Sequence, residues 1–147
     1  MTIYPLSIEE IAAKGVTHVV TLTYADFSAA ALTKTVDVLP ATLAAIGTEI
    51  FCKGFYVATA FAGCATATLK LGDGGDDDRY LTAALCDLKT AGYKSMLPTL
   101  ATQPFTLTSA GAAIQAIATA TTDNLDQLSA GVVHLYLRVI NLAKLIQ

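Results

Sequence analysis

The residues that could do chemistry are few, and the acidic ones stand closest together. Asp73, Asp76, Asp77 and Asp78 place four of the chain's twelve acids within six positions, inside Leu71-Gly72-Asp73-Gly74-Gly75-Asp76-Asp77-Asp78-Arg79-Tyr80-Leu81. The glycines permit positive φ, so backbone carbonyls and the carboxylates of Asp73, Asp76 and Asp78 could converge on Ca²⁺. The EF-hand pattern is absent, since no Glu stands at the required place and no helix precedes the run. The favoured reading is a solvated turn between strands made by Asp-Gly chemistry, with Asp78 capping the next segment and no cofactor bound. Arg79 would hold its acidic neighbours by charge-assisted bonds. The same acids also suit docking against a basic surface.

Other chemistry finds little to use. Nucleophilic catalysis needs a Ser or Cys with a base in reach. The two histidines, His18 and His134, sit in alternating stretches that read as strands, where a sheet-surface or interface role is the simpler reading. No H-x-x-x-H or H-E-x-x-H spacing exists, and no G-x-S-x-G, Walker or dinucleotide-binding glycine pattern follows a strand. Scattered acids such as Glu49 and Asp37 have nothing to single them out as a glycosidase pair. Cys52, Cys64 and Cys86 are an odd count without a C-x-x-C, and read as small buried hydrophobes in a reducing compartment. No enzyme is expected.

The elements that position these residues are mostly strands. Ser7-Ile8-Glu9-Glu10 fits a capping box, so residues 1–16 are expected to form an N-terminal arm or a short helix that Gly15 stops. In Thr17–Tyr24, Val20, Leu22 and Tyr24 alternate with Thr21 and Thr23, as in a half-buried strand. Ala25–Leu32 reads as a turn or short helix, and Lys34–Leu39 as a strand ended by Pro40. Thr48–Phe61 is long and β-rich, with Phe55, Val57, Thr59 and Phe61 on one face. Gly54 inside it marks a bulge or a bend between two strands. Thr66–Leu71 alternates again, Phe105–Thr108 and Ala112–Thr121 give weaker strand signals, and a polar turn covers Thr122–Gln127. The clearest strand is Val132–Leu142. It sets Val133, Leu135, Leu137 and Val139 against Tyr136 and Arg138, and its continuous apolar face predicts a central position. No βαβ rhythm appears. The expected fold is therefore all-β, a single antiparallel β-sandwich domain over 1–147 with jelly-roll or related Greek-key connections.

Composition limits the function further. The 147 residues are 54% hydrophobic and only 14% charged, with nine basic residues against twelve acidic ones. Average soluble domains carry about 25% charge, so obligate contacts with other subunits would account for the deficit. Without a basic cluster there is no footprint for nucleic acid. The longest uncharged stretch is broken by Pro98, Pro104 and Gln103, which argues against a membrane span, and acids stand where a signal peptide needs basic residues. A product assembled in the cytoplasm of its producer is expected.

The run Leu69–Leu81, the strand Phe55-Tyr56-Val57-Ala58-Thr59-Ala60-Phe61 before it and the closing strand Val132–Leu142 resemble small tailed-phage structural proteins. There, an apolar strand enters a Gly-Asp turn and then an Arg-aromatic pair. Over roughly Thr17 to Leu142 the chain resembles phage head decoration, or cement, proteins with a jelly-roll-like β-sandwich. The resemblance implies a virion protein on the capsid surface that binds the major capsid protein and forms a homotrimer or dimer. It carries over no catalytic residue. Tyr136 and Arg138 are the candidate interface residues. A tail or neck subunit is the neighbouring alternative, and a carbohydrate- or ligand-binding jelly roll with a calcium-dependent acidic loop is the alternative from another class.

Overall fold

The computed structural model describes residues 1–7, 9, 13, 15–95, 105–107 and 113–142. Its strands are β1 (Thr2–Pro5), β2 (His18–Thr23), β3 (Thr33–Leu39), β4 (Thr48–Ala62), β5 (Thr68–Asp73), β6 (Asp76–Leu81), β7 (Gly92–Ser95), β8 (Phe105–Thr106), β9 (Ile114–Thr119) and β10 (Ala130–Asn141). A one-turn helix, α1 (Tyr24–Phe27), comes after β2, and a 3-10 turn spans Leu125–Gln127. Every strand pairing among the described residues is antiparallel. Sheet A runs β1-β2-β10-β4-β7, with β8 also on β4, and sheet B runs β3-β9-β5-β6. The expected antiparallel β-sandwich is therefore present. Among the described residues, no helix is long and apolar enough to cross a membrane.

Alternation builds the core. Val20 and Leu22 of β2, Ile50, Phe55, Val57 and Phe61 of β4, and Val133, Leu135 and Leu137 of β10 point inward from sheet A. They meet Leu69 and Leu71 of β5, Tyr80 and Leu81 of β6, and Ile114, Ala116 and Ala118 of β9 in one apolar cluster. Each fully buried Leu, Val or Phe side chain contributes about 1.5–3 kcal/mol relative to exposure. As its apolar face requires, β10 is central, with β2 on one side and β4 on the other.

Gly54 lies at a bulge. The β10 register shifts between Tyr136 and Leu137, opposite Gly54 and Cys52, and the inward set of β4 changes parity from Ile50 and Cys52 to Phe55 and Val57. A further shift, at Val132 and Val133, leaves Thr59 exposed although it alternates with Phe55 and Val57 in sequence. Gly131 takes φ +143, and a Cβ there would stand 2.3 Å from the Phe61 ring. The glycine thus lets that ring lie on the β10 backbone.

Several expectations need correction. Tyr24 does not continue the inward face of β2, because the chain turns into α1 and leaves the ring exposed. Thr23 and Asp26 explain the turn: the Asp26 carboxylate accepts from the Thr23 N–H at 2.8 Å and from its hydroxyl at 2.9 Å. Thr2–Pro5 forms a strand paired with β2. The expected Ser7–Gly15 helix falls largely on residues 8, 10–12 and 14, outside the described set. β6 and β7 had no expected counterpart.

The loops around α1 (24–32), after β4 (63–67), after β6 (82–91) and after β9 (120–129) meet at one end of the sandwich. The Asp126 N–H donates to Ala29 at 2.7 Å, the Leu125 N–H to Ala31 at 2.8 Å, and the Ala65 N–H to the Asp123 carboxylate at 2.8 Å. The β5–β6 turn, with the acidic run, lies at the opposite end.

Candidate functional site

The acidic run is a tight hairpin between β5 and β6, and Asp73 organises it. Its Oδ1 accepts from the Gly75 N–H at 2.9 Å and the Asp76 N–H at 3.1 Å. Its Oδ2 accepts from Arg79 Nε at 2.9 Å and from the Tyr80 hydroxyl at 3.0 Å. Burial pushes the Asp73 carboxyl upward, but the Gly75 N–H, Arg79 and Tyr80 outweigh it and hold the group below the usual carboxylate range. The residue that caps the turn is therefore Asp73, not Asp78, which belongs to β6. Neither Gly74 nor Gly75 takes a positive φ, because the Asp73 side chain closes the turn itself. Arg79 does hold an acidic neighbour, as its position implies.

Gly72 matters for another reason. A Cβ there would lie 2.2 Å from the Asp77 carbonyl carbon, so β5 and β6 approach each other through the space a side chain would fill. The register shift between Leu71 and Asp73 sits at this point. Gly72→Ala is expected to cost about 1–3 kcal/mol in chemical denaturation, as overpacking against backbone does. An unchanged midpoint and slope would show that the hairpin opens without strain.

The calcium candidates separate. The carboxylates of Asp76, Asp77 and Asp78 lie within 4.8 Å of one another, while both Asp73 oxygens are taken by internal donors. Lys70 Nζ pairs with the Asp77 carboxylate. The Asp78 carboxyl is raised by burial, by its bond to Asp76 and by the charges of Asp76 and Asp77. Calorimetric titration with Ca²⁺ at millimolar concentration is expected to give dilution heat alone. A saturable isotherm that vanishes in Asp76→Ala and Asp78→Ala would overturn this reading.

The second candidate region is the outer face of sheet A, which carries Tyr136 and Arg138. Strand register sets Thr21, His134, Tyr56 and Tyr93 side by side across β2, β10, β4 and β7. The next row holds Tyr4, Val19, Tyr136 and Gly54 across β1, β2, β10 and β4. The Tyr56 ring stacks on His134 with centroids 6.1 Å apart, and the Tyr93 ring meets Tyr136 edge-on at 6.1 Å. Burial, then the neighbouring Tyr93 and Tyr56, raise the Tyr136 phenol above its ordinary value. Four of the six tyrosines in the chain thus share one sheet face. Arg138 stands at the border of this patch, 3.9 Å from the Glu49 carboxylate.

No family model, curated protein or solved structure matches this chain. Its function is therefore read from the surfaces above.

The histidines are placed by threonines. Thr17 Oγ1 lies 2.8 Å from His18 Nδ1, and Thr21 Oγ1 lies 2.8 Å from His134 Nδ1. Cys52, Cys64 and Cys86 are buried thiols, and burial pushes Cys52 up to about 12. Sequence reasoning found Tyr136 but missed Tyr4, Tyr56 and Tyr93 as its companions. Tyr56 was legible, since it alternates with Phe55 and Val57. Tyr4 and Tyr93 lie on strands of four residues, too short for alternation to show.

Proposed function

We propose that the chain is a structural virion protein, a decoration or cement subunit that binds the outside of a phage head lattice through the major capsid protein. The observation that supports this most is the outer face of sheet A. Tyr56 and Tyr93 stay exposed beside His134 and Tyr136 on a face whose central rows carry no formal charge. Tyrosine is enriched where surfaces meet partners, because its ring is apolar and its hydroxyl can still bond. The opposite outer face, on sheet B, carries Thr35, Asp37, Thr68, Lys70 and Gln115, as a solvated sheet does.

Strand order favours the same reading. From β2 onward the chain changes sheet at every step except the β5–β6 hairpin and the short β7–β8 pair. The orders β2-β10-β4-β7 and β3-β9-β5-β6 suit a jelly roll with β1 added at one edge, an architecture that capsid domains use. The low charge of the chain also suits an assembled state.

Quantitative mass spectrometry of density-purified particles, from lysates of cells that carry the gene, tests the proposal. The chain is expected in the head fraction at a fixed ratio to the major capsid protein. Its confinement to tails would move it to the tail or neck class, and absence from all particles would overturn the virion assignment.

A further inference from the structure

We infer that the cleft beside Arg138, between β10 and the segment leading into β2, is an oxyanion site in which Arg138 and Lys53 together take one phosphate or carboxylate group. The site goes beyond the virion reading and does not depend on it.

Gly15, Thr17, Arg138 and Ile140 line the cleft, which has a volume of about 250 Å³. Drug-sized ligands occupy about 300–1,000 Å³, so this space suits a single small group. Gly15 has φ +64, and a Cβ there would stand 3.9 Å from both Cε and Nζ of Lys53. Lys53 belongs to β4, on the far side of β10, so its side chain reaches across β10 to the rim of the cleft. Thr17 forms a fixed wall, since its Oγ1 accepts from the Val139 N–H at 2.7 Å and lies 2.8 Å from His18 Nδ1.

The two cations are ones that the fold leaves without an acceptor. Arg79 bonds Asp73, and Lys70 pairs with Asp77. Lys89 donates to the Cys64 carbonyl and Lys94 to the Leu85 carbonyl. Arg138 and Lys53 have no such bond among the described residues. Arg138 Nε lies 3.9 Å from the Glu49 carboxylate, beyond hydrogen-bond length, and Lys53 Nζ lies 5.0 Å from the centroid of the Phe51 ring. A guanidinium offers an oxyanion a planar fork of donors, and an ammonium adds a point charge. Against these two positive charges Glu49 sets one negative charge, so the cleft stays positive on a chain of net charge −3. Ile140 and Phe51 flank it with apolar surface, which strengthens the attraction by keeping water back.

NMR titration of the whole chain with inorganic phosphate, and in parallel with acetate, tests the site at constant ionic strength, where screening does not change. The amides of Gly15, Thr17, Arg138 and Ile140 should shift together and saturate at millimolar anion. Saturation by phosphate, by acetate or by both upholds the site and names the group it takes. Lys53→Gln and Arg138→Gln should each weaken binding at least about tenfold, the loss expected for one charge-assisted bond. Lys34→Gln, which removes a cation on sheet B, should leave binding unchanged. Arg138 is exposed, so its variant serves if Lys53→Gln fails to fold. Amides that saturate with neither anion, or binding that survives Arg138→Gln, would overturn the inference. An equal loss in Lys34→Gln would overturn it too, because overall charge rather than the cleft would then be responsible.

Discussion

Asp73→Ala is expected to destabilise the chain by about 1–3 kcal/mol, the cost of leaving buried and half-buried donors without their acceptor. The substitution removes the acceptor for two backbone N–H groups, the Arg79 Nε–H and the Tyr80 hydroxyl at once. Against a typical total of about 5–15 kcal/mol, that is a large share. Acid should reveal the same group. The folded Asp73 carboxyl lies below its ordinary value, so its contribution is complete above about pH 4 and is lost as pH falls through the lower folded value. Asp78 acts with the opposite sign, its folded carboxyl being raised, but it is common to both chains. Denaturation of wild type and variant along a pH series should therefore show a gap that closes only in acid. A gap independent of pH would assign the effect to packing rather than to the carboxylate.

The second large effect belongs to β10. Leu137 is fully buried on the strand between β2 and β4, and Leu137→Ala should cost about 2–5 kcal/mol through lost burial and the cavity left behind. Arg138, the next residue, points to the other face and is exposed, so its pair with Glu49 contributes about 0–1 kcal/mol. Arg138→Ala should leave the denaturation midpoint nearly unchanged. Equal small effects from the two substitutions would contradict the register of β10.

The sequence showed these two sites unequally. Twelve residues of β10 alternate almost without interruption, so its register, central position and outward Tyr136 and Arg138 could be read directly. Gly54 announced its bulge, because glycine inside a strand run has few other uses. The acidic run was recognised as a turn, but its organiser was not. Asp73 looks like its neighbours in sequence, and only the folded hairpin brings Arg79 and the buried Tyr80 onto its second oxygen. β6 was hidden because three aspartates, poor strand residues, open it. The aromatic face depends on register between strands distant in the chain, and β1 and β7 are too short to announce themselves. Tyr136 could be seen in the sequence; the platform around it could not.

Cryo-electron microscopy of density-purified heads tests the central claim most directly. The account predicts two-sheet domains on the outside of the shell, each with the Tyr56–Tyr136 face of sheet A covered by protein. Bare heads, or copies whose sheet A faces open solvent, would contradict it.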